Sequence, residues 1–174
     1  MSSDSSKPAN SGIAFIALGS NLGDSRKIVS NAMACLQHFS TKPLLKSSLW
    51  QTAPVNCPPG SPKFVNAALG LIPRHNETPE SLLKTLSALE KQFGRAPKTV
   101  QNEPRPLDLD LIAFGTEKRD TPELVLPHPR AHLRKFVLQP LSEIAPDLIL
   151  PGQKKTVSEL LSGLSSDEIL SKLD

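Results

Sequence analysis

Polar and apolar positions along this chain fall into short blocks, and their period changes from one block to the next. Ile13 to Leu18 is a continuous apolar run and reads as a buried strand. Gly19 to Asp24 is a turn, after which Ile28, Ala32, Cys35, Leu36 and Phe39 repeat at helical spacing. A second strand is predicted over Leu44 to Thr52, where Trp50 adds strand propensity. Ala53 to Lys63 holds four prolines and one glycine and reads as a loop. Phe64 to Ile72 alternates as a third strand, with Val65, Ala67, Leu69 and Leu71 on a core face and Phe64 with Asn66 on the other. Thr78-Pro79-Glu80 starts a helix, with Thr78 as N-cap and Pro79 at the first helical position. Leu82, Leu86, Leu89 and Phe93 form its apolar stripe, and Gly94 stops it. Residues 95–106 are a polar, basic loop, and a fourth strand follows through Phe114.

Beyond a turn from Gly115 to Pro122 comes a short strand at Leu124-Val125-Leu126. A basic loop follows to Lys135, and then a short helix from Phe136 to Ile144. Thr156-x-x-Glu159 and Ser165-x-x-Glu168 both match a capping box and predict two short terminal helices. Through residue 114 the order is β-α-β-β-α-β. The expected fold is therefore α+β, a ferredoxin-like βαββαβ core with an antiparallel sheet, helices on one face, and extra helices at the C-terminus. Residues 12–174 are read as a single domain, and the polar, Ser-rich stretch 1–11 as a disordered leader without the apolar region of a secretory signal.

The fourth strand carries the candidate chemistry. In Arg105-Pro106-Leu107-Asp108-Leu109-Asp110-Leu111, strand alternation puts both carboxylates on one face and the leucines on the other. Two like charges on one face need a positive partner. A Mg²⁺ ion suits two hard oxygen ligands, and Arg105 stands where it could hold a phosphate. A solvated acidic edge strand is the plainer reading of the same spacing. A basic set (Arg95, Lys98, Arg105, His128, Arg130, His132, Arg134) and the Phe64/Asn66 pair are the other groups able to converge with it. Together these supply metal ligands, phosphate clamps and a stacking surface, the equipment for moving a phosphate group from a nucleotide to a flat heterocycle. Taken singly, His128 reads as a turn cap between two prolines, Arg130 and Lys135 as surface charges, and Glu90 as a half-buried structural carboxylate. The Gly19 to Gly23 turn lacks the residues of a phosphate loop or a dinucleotide fingerprint. Zinc on His128 and His132 with the aspartates fits no familiar closed-site spacing.

Composition narrows the class only a little. The chain has 174 residues, 38% of them hydrophobic, enough for one sizeable core. A formal charge of +3 is too small an excess to claim nucleic acid and suits an anionic small molecule. Cys35 reads as a core residue and Cys57 as a free loop thiol, so no disulfide framework is expected. No stretch approaches a membrane span. The expectation is a cytoplasmic monomer that binds neither nucleic acid nor membrane.

Several motifs then recur in one order. They are Ala17-Leu18-Gly19-Ser20-Asn21-Leu22-Gly23-Asp24, Thr52-Ala53-Pro54-Val55, Phe64-Val65-Asn66-Ala67-Ala68 and Pro104-Arg105-Pro106-Leu107-Asp108-Leu109-Asp110. Leu126-Pro127-His128-Pro129-Arg130 and the stretch Phe136 to Pro146 complete the set. From about residue 13 to about 151 the chain resembles 6-hydroxymethyl-7,8-dihydropterin pyrophosphokinase, a family of folate biosynthesis. The resemblance implies transfer of the β,γ-diphosphate of ATP to the pterin hydroxymethyl group with release of AMP. It implies that Asp108 and Asp110 hold two Mg²⁺ ions. Phe64 and Phe136 would sandwich the pterin, Asn66 would bond its polar edge, and the backbone of Thr52 and Val55 would complete the pocket. Glu90, Arg95, Arg105, Leu111, His128 and Arg134 match ATP-site positions, Arg95 and Arg105 also as catalytic residues that offset charge on the α,β-bridging oxygen.

The chain also departs from the family pattern. Pro97, Gln101, Asn102 and Glu103 stand where familiar members carry arginines and an Arg-Trp-Gly, and Lys98 is expected to replace one lost charge. Phe64 stands for the Tyr of some members, and Thr52-Ala53-Pro54 for the usual Thr-Pro-Pro. Two other readings start from the same residues. An RNA-binding module on this fold would need exposed aromatics in a basic strand motif, and none is present. A homologue that binds both ligands without turnover would owe that to the altered 95–105 loop.

Overall fold

A computed structural model describes residues 12–54, 57–96 and 103–173. The leader read over 1–11 and the positions Val55, Pro97, Lys98, Gln101 and Asn102 lie outside the described residues. The elements run β1 Ala14–Ser20, α1 Ser25–Leu36, β2 Leu45–Lys46, β3 Trp50–Thr52, β4 Phe64–Leu71 and α2 Pro79–Gln92. They continue with β5 Asp108–Phe114, β6 Arg119–Asp120, β7 Val125–Leu126, α3 Lys135–Ile144, α4 Val157–Gly163 and β8 Leu170–Lys172.

The main sheet has the order β5-β1-β4-β3-β8, with β2 also on β4, and every pairing is antiparallel. The fourth core strand thus lies beside the first, and the third sits between the first and second, which is the split β-α-β arrangement. Helix starts follow the sequence signals. Thr78 Oγ1 accepts from Ser81 N at 3.0 Å, with Pro79 in the first turn, and Asp24 caps α1. Gly94, with φ of +96°, ends the α2 segment in a conformation that favours glycine.

The second strand differs from the single element predicted. It breaks at Ser47, whose Oγ accepts the Ala68 N–H at 2.8 Å while its own N–H donates to Ala68 O at 3.0 Å. A side chain there takes the place of a ladder carbonyl. The layers differ too, because helices cover both faces of the sheet. Ile16, Leu18, Val65, Ala67, Leu69, Leu107, Leu109 and Leu111 pack against α1 and α2 on one face. Phe15, Ala17, Ala68, Ile112 and Ala113 pack against α3 and α4 on the other. A register shift opposite Phe15 and Ile16 lets adjacent Ile112 and Ala113 bury in the same layer.

The Thr156 capping box does start α4. The Ser165 box does not start a helix, and residues 170–172 instead form β8 on the edge of β3. A helix of one or two turns carries the full nucleation cost. The open β3 edge offers this segment backbone partners without that cost. No helix among the described residues is long and apolar enough to cross a membrane.

Candidate active site

One cleft of about 380 Å³ opens on the α3 face of the sheet. Its floor is set by strand register. Asp108 lies opposite Gly19 on β1, which lies opposite Asn66 on β4, and Asp110 lies opposite Ala17. Small residues between the acidic strand and the Asn66 strand keep that floor open. A Cβ built on Gly19 would sit 3.1 Å from Asn66 Oδ1 and 3.8 Å from Phe64 Cδ1, a crowding that explains a glycine inside a strand. Thr52 and Phe64 face each other across β3 and β4, and Phe136 comes from the first turn of α3.

Of the residues singled out from sequence, Thr52, Phe64, Asn66, Arg105, Asp108, Asp110, Arg134 and Phe136 all line this cleft. Asn66 is only 5% exposed, and its Nδ2 donates to Thr52 Oγ1 at 2.7 Å, which leaves Oδ1 turned toward the Gly19 side. Both candidate stacking rings carry an arginine. Arg105 Cζ is 5.7 Å from the centroid of Phe64, and Arg134 Cζ is 5.5 Å from that of Phe136.

Guanidinium groups answer the need for positive charge at the aspartates. Arg95 Nη1 donates to Asp108 Oδ1 at 2.8 Å and also to Glu90 Oε2, and Arg105 Nε lies 3.8 Å from Asp108 Oδ2. Asp110 has no such partner at hydrogen-bond distance among the described residues. Burial first, and then the charge of Asp108, push its carboxyl up to about 7. No group of three or more His, Cys, Asp or Glu side chains among the described residues can hold a metal. A closed zinc site is therefore not formed there. A pair of carboxylates on one strand face, one of them short of positive partners, fits a hard divalent cation such as Mg²⁺ that takes its remaining ligands from water or a bound anion.

Glu90, Arg95, Leu111 and His128 are not among the residues lining the cleft. Glu90 Oε2 accepts the Leu109 N–H at 2.9 Å, on the outer edge of β5. Burial raises the Glu90 carboxyl, an effect the Leu109 hydrogen bond and Arg95 oppose. The Leu111 side chain is in the core, but strand alternation turns its backbone to the same open edge as that of Leu109. His128 Nδ1 accepts from Arg130 N at 3.2 Å, so the imidazole does cap its turn and carries its proton on Nε2. Burial, then Arg134 and Arg130, lower its pKa.

Two contributors, Asn21 and Glu168, escaped the sequence reading, and a third, Arg130, was placed in the convergent basic set but read singly as a surface charge. Arg130 is exposed yet lines the cleft. Asn21, 2% exposed, accepts the Arg105 N–H at Oδ1 (2.9 Å) and donates its own N–H to Arg105 O (3.1 Å), so the turn after β1 clamps the Arg105 backbone. Glu168 reaches the cleft from the C-terminal segment.

A comparison with known families matches residues 15–146 to 7,8-dihydro-6-hydroxymethylpterin-pyrophosphokinase, HPPK. The chain belongs to this family. Among HPPK relatives, a 2-amino-4-hydroxy-6-hydroxymethyldihydropteridine pyrophosphokinase of Synechocystis sp. is 36% identical over 148 residues, covering 85% of this chain and 74% of that protein. One of Pseudomonas aeruginosa is 38% identical over 149 residues, covering 85% and 89%. Among solved structures, wild-type Plasmodium falciparum HPPK-DHPS with SDX-DHP superposes with a TM-score of 0.65 at 12% identity. It covers 86% of this chain but only 44% of that one, so the present chain spans less than half of the bifunctional protein and the likeness concerns the fold.

Proposed function

We propose that the protein transfers the β,γ-diphosphate of ATP to the hydroxymethyl group of 6-hydroxymethyl-7,8-dihydropterin, releasing AMP, as a step in making tetrahydrofolate. Family membership carries this reading. It is supported by a single cleft that joins a carboxylate pair and arginines to two phenylalanines and a buried amide.

In this reading Phe64 and Phe136 sandwich the ring, and Asn66 bonds its polar edge through the oxygen that Thr52 leaves unused. The backbone of Thr52 closes the same pocket, a role the family resemblance also implies for Val55, which lies outside the described residues. Glu90, Leu111, His128 and Arg134 serve the nucleotide side. Asp108 and Asp110 would hold Mg²⁺, two ions being expected, which when bound neutralise phosphate charge and lower the alcohol's pKa. The hydroxymethyl oxygen attacks the β-phosphorus as the bond from that phosphorus to the α,β-bridging oxygen breaks. AMP leaves and the alcohol proton passes to solvent. Arg95 and Arg105, which pair with Asp108, turn to the phosphates and offset the charge growing on the bridging oxygen. Both substrates are small molecules, so the reaction needs no second subunit, nucleic acid or membrane.

The test is nucleotide product analysis with Mg-ATP and the pterin, wild type beside Asp110→Ala. AMP formed in step with pterin diphosphate, and lost in the variant, is the expected result. ADP in place of AMP would refute diphosphate transfer. Binding of both ligands with no turnover would leave a protein that only binds them.

A further inference from the structure

The family match ends at residue 146, yet the chain continues and returns to the cleft. β8 pairs with β3 so that Leu170 lies opposite Thr52, itself opposite Phe64 on β4. The segment is fastened at several points. Leu173 N donates to Leu49 O at 2.8 Å, and Lys172 Nζ lies 3.9 Å from Glu143 Oε2. Lys135 Nζ, from the first residue of α3, donates to the backbone oxygen of Glu168 at 3.2 Å. Glu168 is thus held between the β3 edge and the start of α3, and its side chain lines the cleft beside the Thr52, Asn66, Phe64 and Phe136 group. Its Oε2 atom is buried and accepts no hydrogen bond from any described residue.

A carboxylate oxygen withdrawn from water without a donor is unfavourable unless a ligand brings one. The neighbouring Asn66 amide spends one N–H on Thr52 Oγ1 and turns Oδ1 toward Gly19, and no described residue donates to Glu168 Oε2. The ring end of the cleft therefore offers a buried acceptor, Glu168 Oε2, in need of a donor. A 2-amino-4-oxo pterin carries adjacent donors, the 2-amino group and N3–H, in the forked arrangement that a carboxylate accepts in pairs. We infer that Glu168 is a specificity-determining residue that accepts hydrogen bonds from the amino-amide edge of the pterin ring. This inference rests on the reaction proposed above.

The geometry makes a demand that a merely structural role does not. A 2-oxo analogue of the substrate replaces the amino donor with an acceptor and sets oxygen against oxygen at Glu168. Glu168→Gln supplies one donor and one acceptor and suits that analogue instead. The experiment measures KM and kcat for both rings at saturating Mg-ATP, in wild type, Glu168→Gln, Glu168→Ala and, as control, Asp167→Ala, which alters an exposed neighbour.

We expect KM for the 2-amino ring to rise about tenfold or more in both Glu168 variants, the scale of a lost hydrogen bond to a charged group. The KM for ATP should hold, and the preference for the amino ring over the oxo ring should fall most in Glu168→Gln. The control should match wild type. Equal KM values in wild type and both Glu168 variants, or a loss that lowers kcat for both rings alike, would overturn the inference while leaving the reaction intact. Absence of turnover by the wild type would overturn the reaction, and this inference with it.

Discussion

Asn21 offers the sharpest test of how the cleft is assembled, because its side chain acts on the backbone of Arg105 and not on the guanidinium. Asn21→Ala removes the 2.9 Å bond to the Arg105 N–H and leaves that donor unpaired in a half-buried place, while the 3.1 Å bond from the Asn21 N–H survives. An orphaned donor of this kind costs about 1–3 kcal/mol. The deleted Nδ2 is itself buried without a partner, so the net loss should fall at about 1–2 kcal/mol. For a domain of this size that is a Tm lower by roughly 2–8 °C. Arg105 would lose its register against Asp108 and Phe64, and displacement of a positioned group by about 1 Å lowers rate by up to about a hundredfold.

The two effects separate in a double-mutant cycle with Arg105→Ala, read by urea denaturation and by kcat/KM. Arg105→Ala keeps the backbone N–H, so the stability loss from Asn21→Ala should be the same in both backgrounds. The rate loss should nearly vanish where the guanidinium is already gone. A full additional rate loss in the Arg105→Ala background would refute the idea that Asn21 acts through Arg105. An unchanged Tm for Asn21→Ala would refute the clamp itself.

Gly19→Ala places a methyl 3.1 Å from Asn66 Oδ1 in an extended strand. It should raise KM for the pterin about tenfold, as steady-state kinetics will show. Asp110→Asn should abolish AMP formation yet raise the Tm of the metal-free protein at pH 8. The carboxyl is raised to about 7 by burial and by Asp108, so its contribution to stability is full at low pH and lost as pH rises through that value. His128 gives the opposite slope. Burial lowers its pKa from 6.5, so its contribution is full above that pH and lost as pH falls through the folded-state value. His128→Asn should therefore narrow the stability difference between pH 7.5 and pH 5 in urea titrations.

What sequence could reveal follows from the range of each signal. Strand alternation is local, and it correctly separated Leu107, Leu109 and Leu111 from Asp108 and Asp110, and Val65 and Ala67 from Phe64 and Asn66. Those separations name most of the cleft. The capping box at Ser165 is equally local and failed, because its competitor was not. Ser166 Oγ does accept the Glu168 N–H at 3.1 Å, but residues 170–172 pair with an edge more than a hundred residues earlier in the chain. The second helical layer escaped for the same reason, since Ile112 and Ala113 share a buried layer only because the register shifts beside them. Arg130 and Glu168 belong to loops with no periodic pattern, and only the folded sheet brings them to one cleft, while Asn21 acts on it from the turn after β1 through Arg105.

Charge in the cleft then shows why the acidic strand is tolerable at the sheet edge. Strand β5 is the edge of the sheet among the described residues, and an open edge of this kind invites pairing with other chains. Glu90 covers part of it by accepting the Leu109 N–H, and that carboxylate in turn holds Arg95, which holds Asp108. The same arginine therefore joins edge protection to charge balance. Arg105, clamped by Asn21, approaches Asp108 from the other carboxylate oxygen. Asp108 is thus balanced by two guanidinium groups, whereas burial and the charge of Asp108 hold the Asp110 carboxyl up although Arg134 and Arg105 oppose the rise. Within the proposed reaction, ATP would bring both the anion that draws the arginines away and the cation that takes their place beside the carboxylate pair.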